Sequence, residues 1–139
     1  MEASASADRV TVHVDGGARG NPGPAAVGYR IEDEDGGVLA EDGHAIGVAT
    51  NNEAEYRALI TALERAAALG ATEVEVRSDS ELLMRQMTGR YRVKSPHLRT
   101  LWDEAQRAAD PFERVRYVEV RRTENTDADR QVNLALDRT

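Results

Sequence analysis

Four carboxylates, Asp15, Glu55, Asp79 and Asp129, stand at the ends of regular elements in this 139-residue chain. Asp15 closes the alternating run RVTVHVD, just ahead of a glycine pair. Glu55 falls in the first turn of a helical stretch, Asp79 follows TEVEVRS directly, and Asp129 lies in the first turns of the last helix. Element ends of this kind are where α/β sheets gather their sites. Clustered carboxylates repel one another unless a divalent cation sits among them, and an all-oxygen set selects Mg²⁺ or Mn²⁺. Two such ions about 4 Å apart can activate a water and stabilise the leaving oxygen of a phosphodiester. Singly, each acid also has a structural reading: Asp15 in an Asx-turn, Asp79 as an N-cap, Glu55 as a first-turn acid, Asp129 as a surface acid. Spacing alone leaves both readings open.

Composition removes other chemistries. There is no cysteine, so disulfides, thiol catalysis and thiolate metal sites are excluded. His13, His44 and His97 have no ligand-like spacing, which argues against zinc and assigns them to structure. Aromatic residues make up only 4%, too few for an aromatic-lined cofactor pocket or a broad base-stacking platform. No apolar run approaches the ~20 residues of a membrane span, and the start, MEASASADRV, is polar. The expectation is a cytoplasmic, membrane-free monomer of one domain, with no protein partner evident.

A net charge of −7 disfavours a nucleic-acid binder, but its distribution does not. Residues 1–70 carry 12 acids against 5 bases, whereas residues 71–139 carry 13 of each. Between 77 and 99, Arg77, Arg85, Arg90, Arg92, Lys94 and Arg99 face only Asp79 and Glu81. Such a strip on an acidic body can hold a phosphate backbone, with a solvated helix face as the bland reading. Lys94 is the only lysine beside seventeen arginines, and with the acidity this points to a salt-loving host.

The elements that must position these groups read clearly. Residues 1–8 form an Ala/Ser-rich leader, expected to be disordered, and 9–139 the domain. The first strand ends near Asp15, and GGARGNPGP is expected to be a loop that stops any regular element. Strands follow over about 25–33 and 37–48, joined by the hairpin turn DEDGG. From Asn52 to Leu69 the apolar residues take helical spacing, with Thr50 or Asn51 as cap and Gly70 as stop. A fourth strand, a short helix over DSELLMRQMTG, a helix over about 96–109, a fifth strand RVRYVEVR and a last helix over about 125–137 complete the order βββαβααβα. This predicts an α/β mixed five-stranded sheet, an antiparallel meander plus two parallel strands, with helices on both faces.

Four sequence blocks in order resemble the type 1 ribonuclease H (ribonuclease HI) family. They are DGGARGNPGPAAVGY, TNNEAEYRAL, SDSEL and ENTDAD, and the resemblance spans about residues 9–137. The compact link GRYRVKSP takes the place of the basic protrusion of longer members, so the chain looks like the short archaeal and bacterial type. The resemblance implies a ribonuclease H-like fold and an endonuclease that cuts the RNA strand of RNA–DNA hybrids. It implies two Mg²⁺ or Mn²⁺ ions held by Asp15, Glu55, Asp79 and Asp129, with 5′-phosphate and 3′-hydroxyl products. Cleavage of double-stranded RNA or RNA–DNA junctions stays open as an extra activity.

By the same resemblance, Asn21, Asn51 and Asn52 fall on minor-groove positions and Thr50 on a position that contacts a DNA phosphate. Glu81 stands where many members have Gln, and Arg122 matches an Arg of the short type that can handle the departing phosphate. Arg90, Arg92 and Lys94 are candidate backbone contacts in place of the absent protrusion. Gln131 and Val132 depart from the usual pair after the last acid. Two alternatives have their own discriminators. A non-cutting hybrid-binding module would be expected to lose one of the four acids. A 3′–5′ exonuclease of related fold would carry D-x-E on strand one, where Asp15 is followed by Gly16 and Gly17.

Overall fold

In the computed structural model, which describes residues 8–139, the first strand β1 (Arg9–Ala18) buries Val10, Val12 and Val14 on one face. Their alternation matches the two-residue period of a strand and turns Asp15 to the opposite face. β1 pairs antiparallel with β2 (Gly23–Glu32), which pairs antiparallel with β3 (Val38–Ala49). Helix α1 (Asn51–Ala68) crosses to β4 (Glu73–Ser78), which runs parallel to β1. Helices α2 (Glu81–Met87) and α3 (Pro96–Ala109) lead to β5 (Arg114–Glu119), parallel to β4. A single 3-10 turn (Arg122–Glu124) precedes the last helix, α4 (Thr126–Asp137). The sheet order is β3-β2-β1-β4-β5, so β1 lies at the centre.

The main core forms where α1 lays Tyr56, Leu59, Ala62, Leu63 and Ala66 against Val12, Val14, Val27 and Ile31. On the other face α4 packs Val132, Ala135 and Leu136 against Ala26. The sheet is thus covered on both sides, as its alternating burial requires. Residues 1–7 of the expected leader lie outside the described residues. The Asp8 carbonyl accepts hydrogen bonds from the amides of Thr72 (2.8 Å) and Glu73 (3.0 Å). No described helix is long and apolar enough to cross a membrane.

Three expectations need correction. The glycine-rich block does not end the strand: Gly16, Gly17 and Ala18 pair with Val27, Ala26 and Ala25, and β2 already starts at Gly23. Glycine persists there because a helix backbone lies close, not because the chain turns. At Gly16 an added Cβ would fall 2.1 Å from the Ala54 carbonyl oxygen. Second, α2 is capped by Ser80, whose Oγ accepts from the Leu83 amide at 3.1 Å, so Asp79 is not the N-cap. Third, β5 stops at Glu119 and α4 starts at Thr126 because residues 122–124 coil into the 3-10 turn.

With −7 charge on a small body, screening relieves self-repulsion in the folded state. The melting temperature is therefore expected to rise between low and molar KCl. A flat or falling trend by circular dichroism would contradict this.

Candidate active site

β1, α1, β4 and α4 each bring one acid to a single cavity of about 270 Å³. Asp15, Glu55, Asp79 and Asp129 line it together with Asn51, Arg122 and Asn133. Asp15 comes from the central strand, opposite Gly28 of β2. Glu55 lies on the first turns of α1, whose start is fixed by a capping box: Thr50 Oγ1 accepts from the Glu53 amide, and Glu53 Oε1 accepts from the Thr50 amide at 2.7 Å. Asp79 projects from the end of β4, freed from capping duty by Ser80. Asp129, on α4, is exposed, and Asn133 one turn later donates to its carboxylate at 3.3 Å.

The electrostatics show acids crowded together. Burial pushes Asp15 up to about 8, reinforced by Asp79, Glu55 and Asp129. Burial also pushes Glu55 up to about 7, with Asp79 adding to it and the Ser80 hydroxyl and Arg122 opposing. Among the described residues the one ion pair to these acids is loose: Arg122 Nε stands 3.9 Å from Asp79 Oδ2, with its side chain 91% exposed. No group of three or more histidine or acidic side chains among the described residues stands close enough together to hold a metal ion as it is. Even so, an all-oxygen set whose burial and crowding raise the pKa of Asp15 and Glu55 is the environment a hard divalent cation relieves. The donor chemistry of the four acids, carboxylate oxygens lining one cavity, fits such an ion.

Asn125 is a site residue that the sequence did not single out for a role. It is 2% exposed, and its Nδ2 donates to the Val14 carbonyl at 2.8 Å and to Asp79 Oδ1 at 3.0 Å. It sits at the N-cap of α4 without making a side-chain cap bond. Its Nδ2 is turned to the sheet and Asp79, and its buried Oδ1 accepts no hydrogen bond. An Asn at a helix start that declines to cap is the only sequence trace of this, and local rules read it as a cap.

The other candidates separate into three places. Asn51 reaches the acidic cavity, held by the Ala18 amide, which donates to its Oδ1 at 2.9 Å. Asn21, Thr50 and Asn52 line a neighbouring hollow with Glu53, Ser95 and His97. Asn21 Oδ1 accepts from the Asn51 amide at 3.0 Å, tying the β1–β2 turn to the start of α1. Arg90, Arg92 and Lys94 line a third hollow with Leu82 and Tyr91. Glu81 lines none of these three hollows: its carboxylate pairs with Arg85 at 3.0 Å along α2. Of the histidines assigned to structure, His13 meets Glu32 at 3.2 Å and His44 is exposed on β3. His97 pairs with Glu53 at the second hollow.

A central strand flanked by an antiparallel meander and parallel crossovers, with acids converging at its end, defines the ribonuclease H class of fold. The family model described as "Reverse transcriptase-like" matches residues 13–135. The chain belongs to the ribonuclease HI family within that class. It is 51% identical over 130 residues to the bifunctional protein Rv2228c of Mycobacterium tuberculosis, covering 93% of this chain and 36% of that protein. The chain thus spans about a third of the length of the first curated relatives it matches. Ribonuclease HI of Halobacterium salinarum is 46% identical over 129 residues, covering 93% of this chain and 65% of that protein. The crystal structure of RNase H1 from that archaeon superposes with a TM-score of 0.92, covering 94% of this chain and 99% of the other. LC11-RNase H1, in its complex with an RNA/DNA hybrid, gives a TM-score of 0.89 at 44% identity, covering 93% and 97%.

Proposed function

We propose that this chain is a monomeric endonuclease, with residues 9–139 as its ribonuclease H domain, that hydrolyses the RNA strand of RNA–DNA hybrids. It does so with two Mg²⁺ or Mn²⁺ ions and leaves 5′-phosphate and 3′-hydroxyl ends. The observation that carries this reading is the convergence of Asp15, Glu55, Asp79 and Asp129 on one cavity beside polar hollows. When bound, the ions supply water activation and stabilise the leaving oxygen. Asp15 would serve as a ligand to both ions, Glu55 and Asp79 would complete the set that holds one of them, and Asp129 would support the other.

The chain's own groups do the rest. Arg122, solvent-facing at the rim, is placed to meet the phosphate after cleavage. Asn51, fixed by the Ala18 amide, offers its Nδ2 to a groove edge, where 2′-hydroxyls distinguish RNA from DNA. Asn21 and Asn52 line the hollow next to it as further minor-groove contacts, and Thr50, in the same hollow, suits a phosphate of the DNA strand. The similarity to a hybrid-bound relative supports this substrate.

The test is cleavage of end-labelled RNA–DNA, RNA–RNA and DNA–DNA duplexes, with Mg²⁺, with Mn²⁺ and with chelator. Cleavage confined to the RNA of hybrids, abolished by chelator, is expected. Tight hybrid binding with no cleavage under any metal would favour the binding-module reading instead.

Asn125 gives a sharper prediction. Asn125→Ala strips the donor from both the Val14 carbonyl and Asp79 Oδ1. Leaving such groups without their partner costs about 1–3 kcal/mol of stability. Loosening a ligand through its supporting hydrogen bond typically costs roughly 10–100-fold in metal affinity. The variant should therefore need a correspondingly higher Mn²⁺ concentration for half-maximal cleavage. A destabilised variant with an unchanged metal requirement would make Asn125 purely structural.

A further inference from the structure

The third hollow lies outside the acidic cavity, yet it continues the same surface. Asn51 belongs to the cavity, its neighbours Thr50 and Asn52 to the second hollow, and Ser95 of that hollow follows Lys94 of the third. Along this path the lining changes from mainly acidic, through amides, hydroxyls and the paired Glu53 and His97, to Arg90, Arg92 and Lys94. In a chain of net charge −7, that is where a phosphate backbone leaving the cut site finds cations.

The loop presenting these cations is anchored. The amides of Arg90 and Tyr91 both donate to the Arg85 carbonyl, at 2.8 and 3.0 Å. The buried Gln86 donates through Nε2 to the Arg92 carbonyl at 3.3 Å. Tyr91 stands at the middle of the three cations and is 39% exposed, the only exposed aromatic among the described residues. Its hydroxyl accepts from Arg85 Nη1 at 2.8 Å, and the Arg85 guanidinium lies 5.4 Å from its ring centroid. That arrangement fixes the ring and leaves apolar surface in solvent. A duplex offers such a ring only stacked, paired bases, whereas a single strand offers free base faces. An aromatic ring amid backbone-tracking cations is the chemistry of single-strand binding.

We infer that Tyr91, with Arg90, Arg92 and Lys94, holds a single-stranded extension flanking the hybrid, stacking one base on the Tyr91 ring. This rests on the hybrid-nuclease reading, and it makes the enzyme favour hybrid ends and junctions that carry an unpaired tail. One ring limits the contact to about one base, consistent with a chain so poor in aromatics.

The experiment is fluorescence anisotropy of the full chain in chelator, where no cutting interferes. A blunt hybrid is compared with the same hybrid bearing a tail of about eight nucleotides on either end of either strand. For the wild type, one tailed arm should bind about 5–150-fold tighter than the blunt hybrid, the range of one base–aromatic stack. Tyr91→Ala should lose that gain. Tyr91→Phe, which keeps the ring but not the Arg85 bond, should retain most of it. Replacing Arg90, Arg92 and Lys94 together with Gln should shrink the gain and flatten its salt dependence. No gain in the wild type, a gain that survives Tyr91→Ala, or equal weakening of blunt and tailed hybrids by Tyr91→Ala would each overturn the inference. Melting curves confirm that each variant is folded. Because binding is read without metal, a tail effect in a chain that cuts nothing would sink only the nuclease reading.

Discussion

Asp15→Asn is expected to abolish hybrid cleavage, by roughly a thousandfold or more, while hybrid binding survives. Asp15 is the acid on which the other three converge: Asp79, Glu55 and Asp129 all raise its pKa. An amide there keeps the shape and removes the charge from both proposed ion positions at once. Glu55→Gln and Asp79→Asn should be nearly as severe, since both line the same cavity and Glu55 is half-buried there. Asp129→Asn should keep the most activity, particularly with Mn²⁺, because Asp129 is exposed and an amide oxygen can still ligate. Near wild-type cutting by a folded Asp15→Asn protein would end the two-metal proposal.

The same crowding predicts the pH behaviour of the metal-free protein. Asp15 is raised from 3.8 to about 8 and Glu55 from 4.5 to about 7, so the folded state binds these protons more tightly than the unfolded chain. Stability from such groups is complete below the unfolded values and is lost as pH rises through the folded ones. In chelator, these two groups should lower the melting temperature as pH climbs from about 4 to about 8. Asp15→Asn should flatten that decline. A wild-type decline left unchanged by Asp15→Asn would place its cause elsewhere.

Much of the architecture is written in short-range patterns. Val10, Val12 and Val14 alternate because one sheet face is buried, and Ser95-Pro96 starts α3 where a cap and a first-turn proline belong. The four acids are legible because each sits where an element ends. What local rules miss is decided by neighbours distant in sequence. Gly16 and Gly17 read as loop because glycine is a poor strand former, yet pairing with Ala26 and Val27 keeps them in β1. Asp79 and Ser80 are both acceptable caps, and only the Leu83 bond to Ser80 shows which one is released for the site. The pairing of Glu81 with Arg85 one turn on, and of Arg85 in turn with Glu119 of β5, also depends on a neighbour outside the local pattern. Asn125 spans 111 residues to reach Val14, a contact no window along the chain can display.

Gly16 makes the link between fold and site testable. A Cβ at Gly16 would fall 2.1 Å from the Ala54 carbonyl oxygen and 2.6 Å from the Glu55 amide nitrogen. Both are backbone atoms of the α1 first turns, so no side-chain rotation can relieve the clash. Gly16→Ala must push α1 away from β1, opening the packing of Ala54 and shifting Glu55 relative to Asp15. Overpacking costs typically 1–3 kcal/mol, and with backbone on both sides about 3 kcal/mol or more is expected. For a domain of this size that is a loss of roughly 10 °C in melting temperature. Cleavage should fall further than stability explains, by roughly a hundredfold, because a displacement of about 1 Å in a catalytic group is enough for that. The adjacent Gly17 is the control: its Cβ would meet only Val132 Cγ1, at 3.7 Å, an ordinary contact. Gly17→Ala should therefore keep the melting temperature within a few degrees of wild type. If Gly16→Ala melts and cuts like the parent chain, β1 and α1 do not approach as closely as Glu55 requires, and the placement of that acid beside Asp15 fails with them.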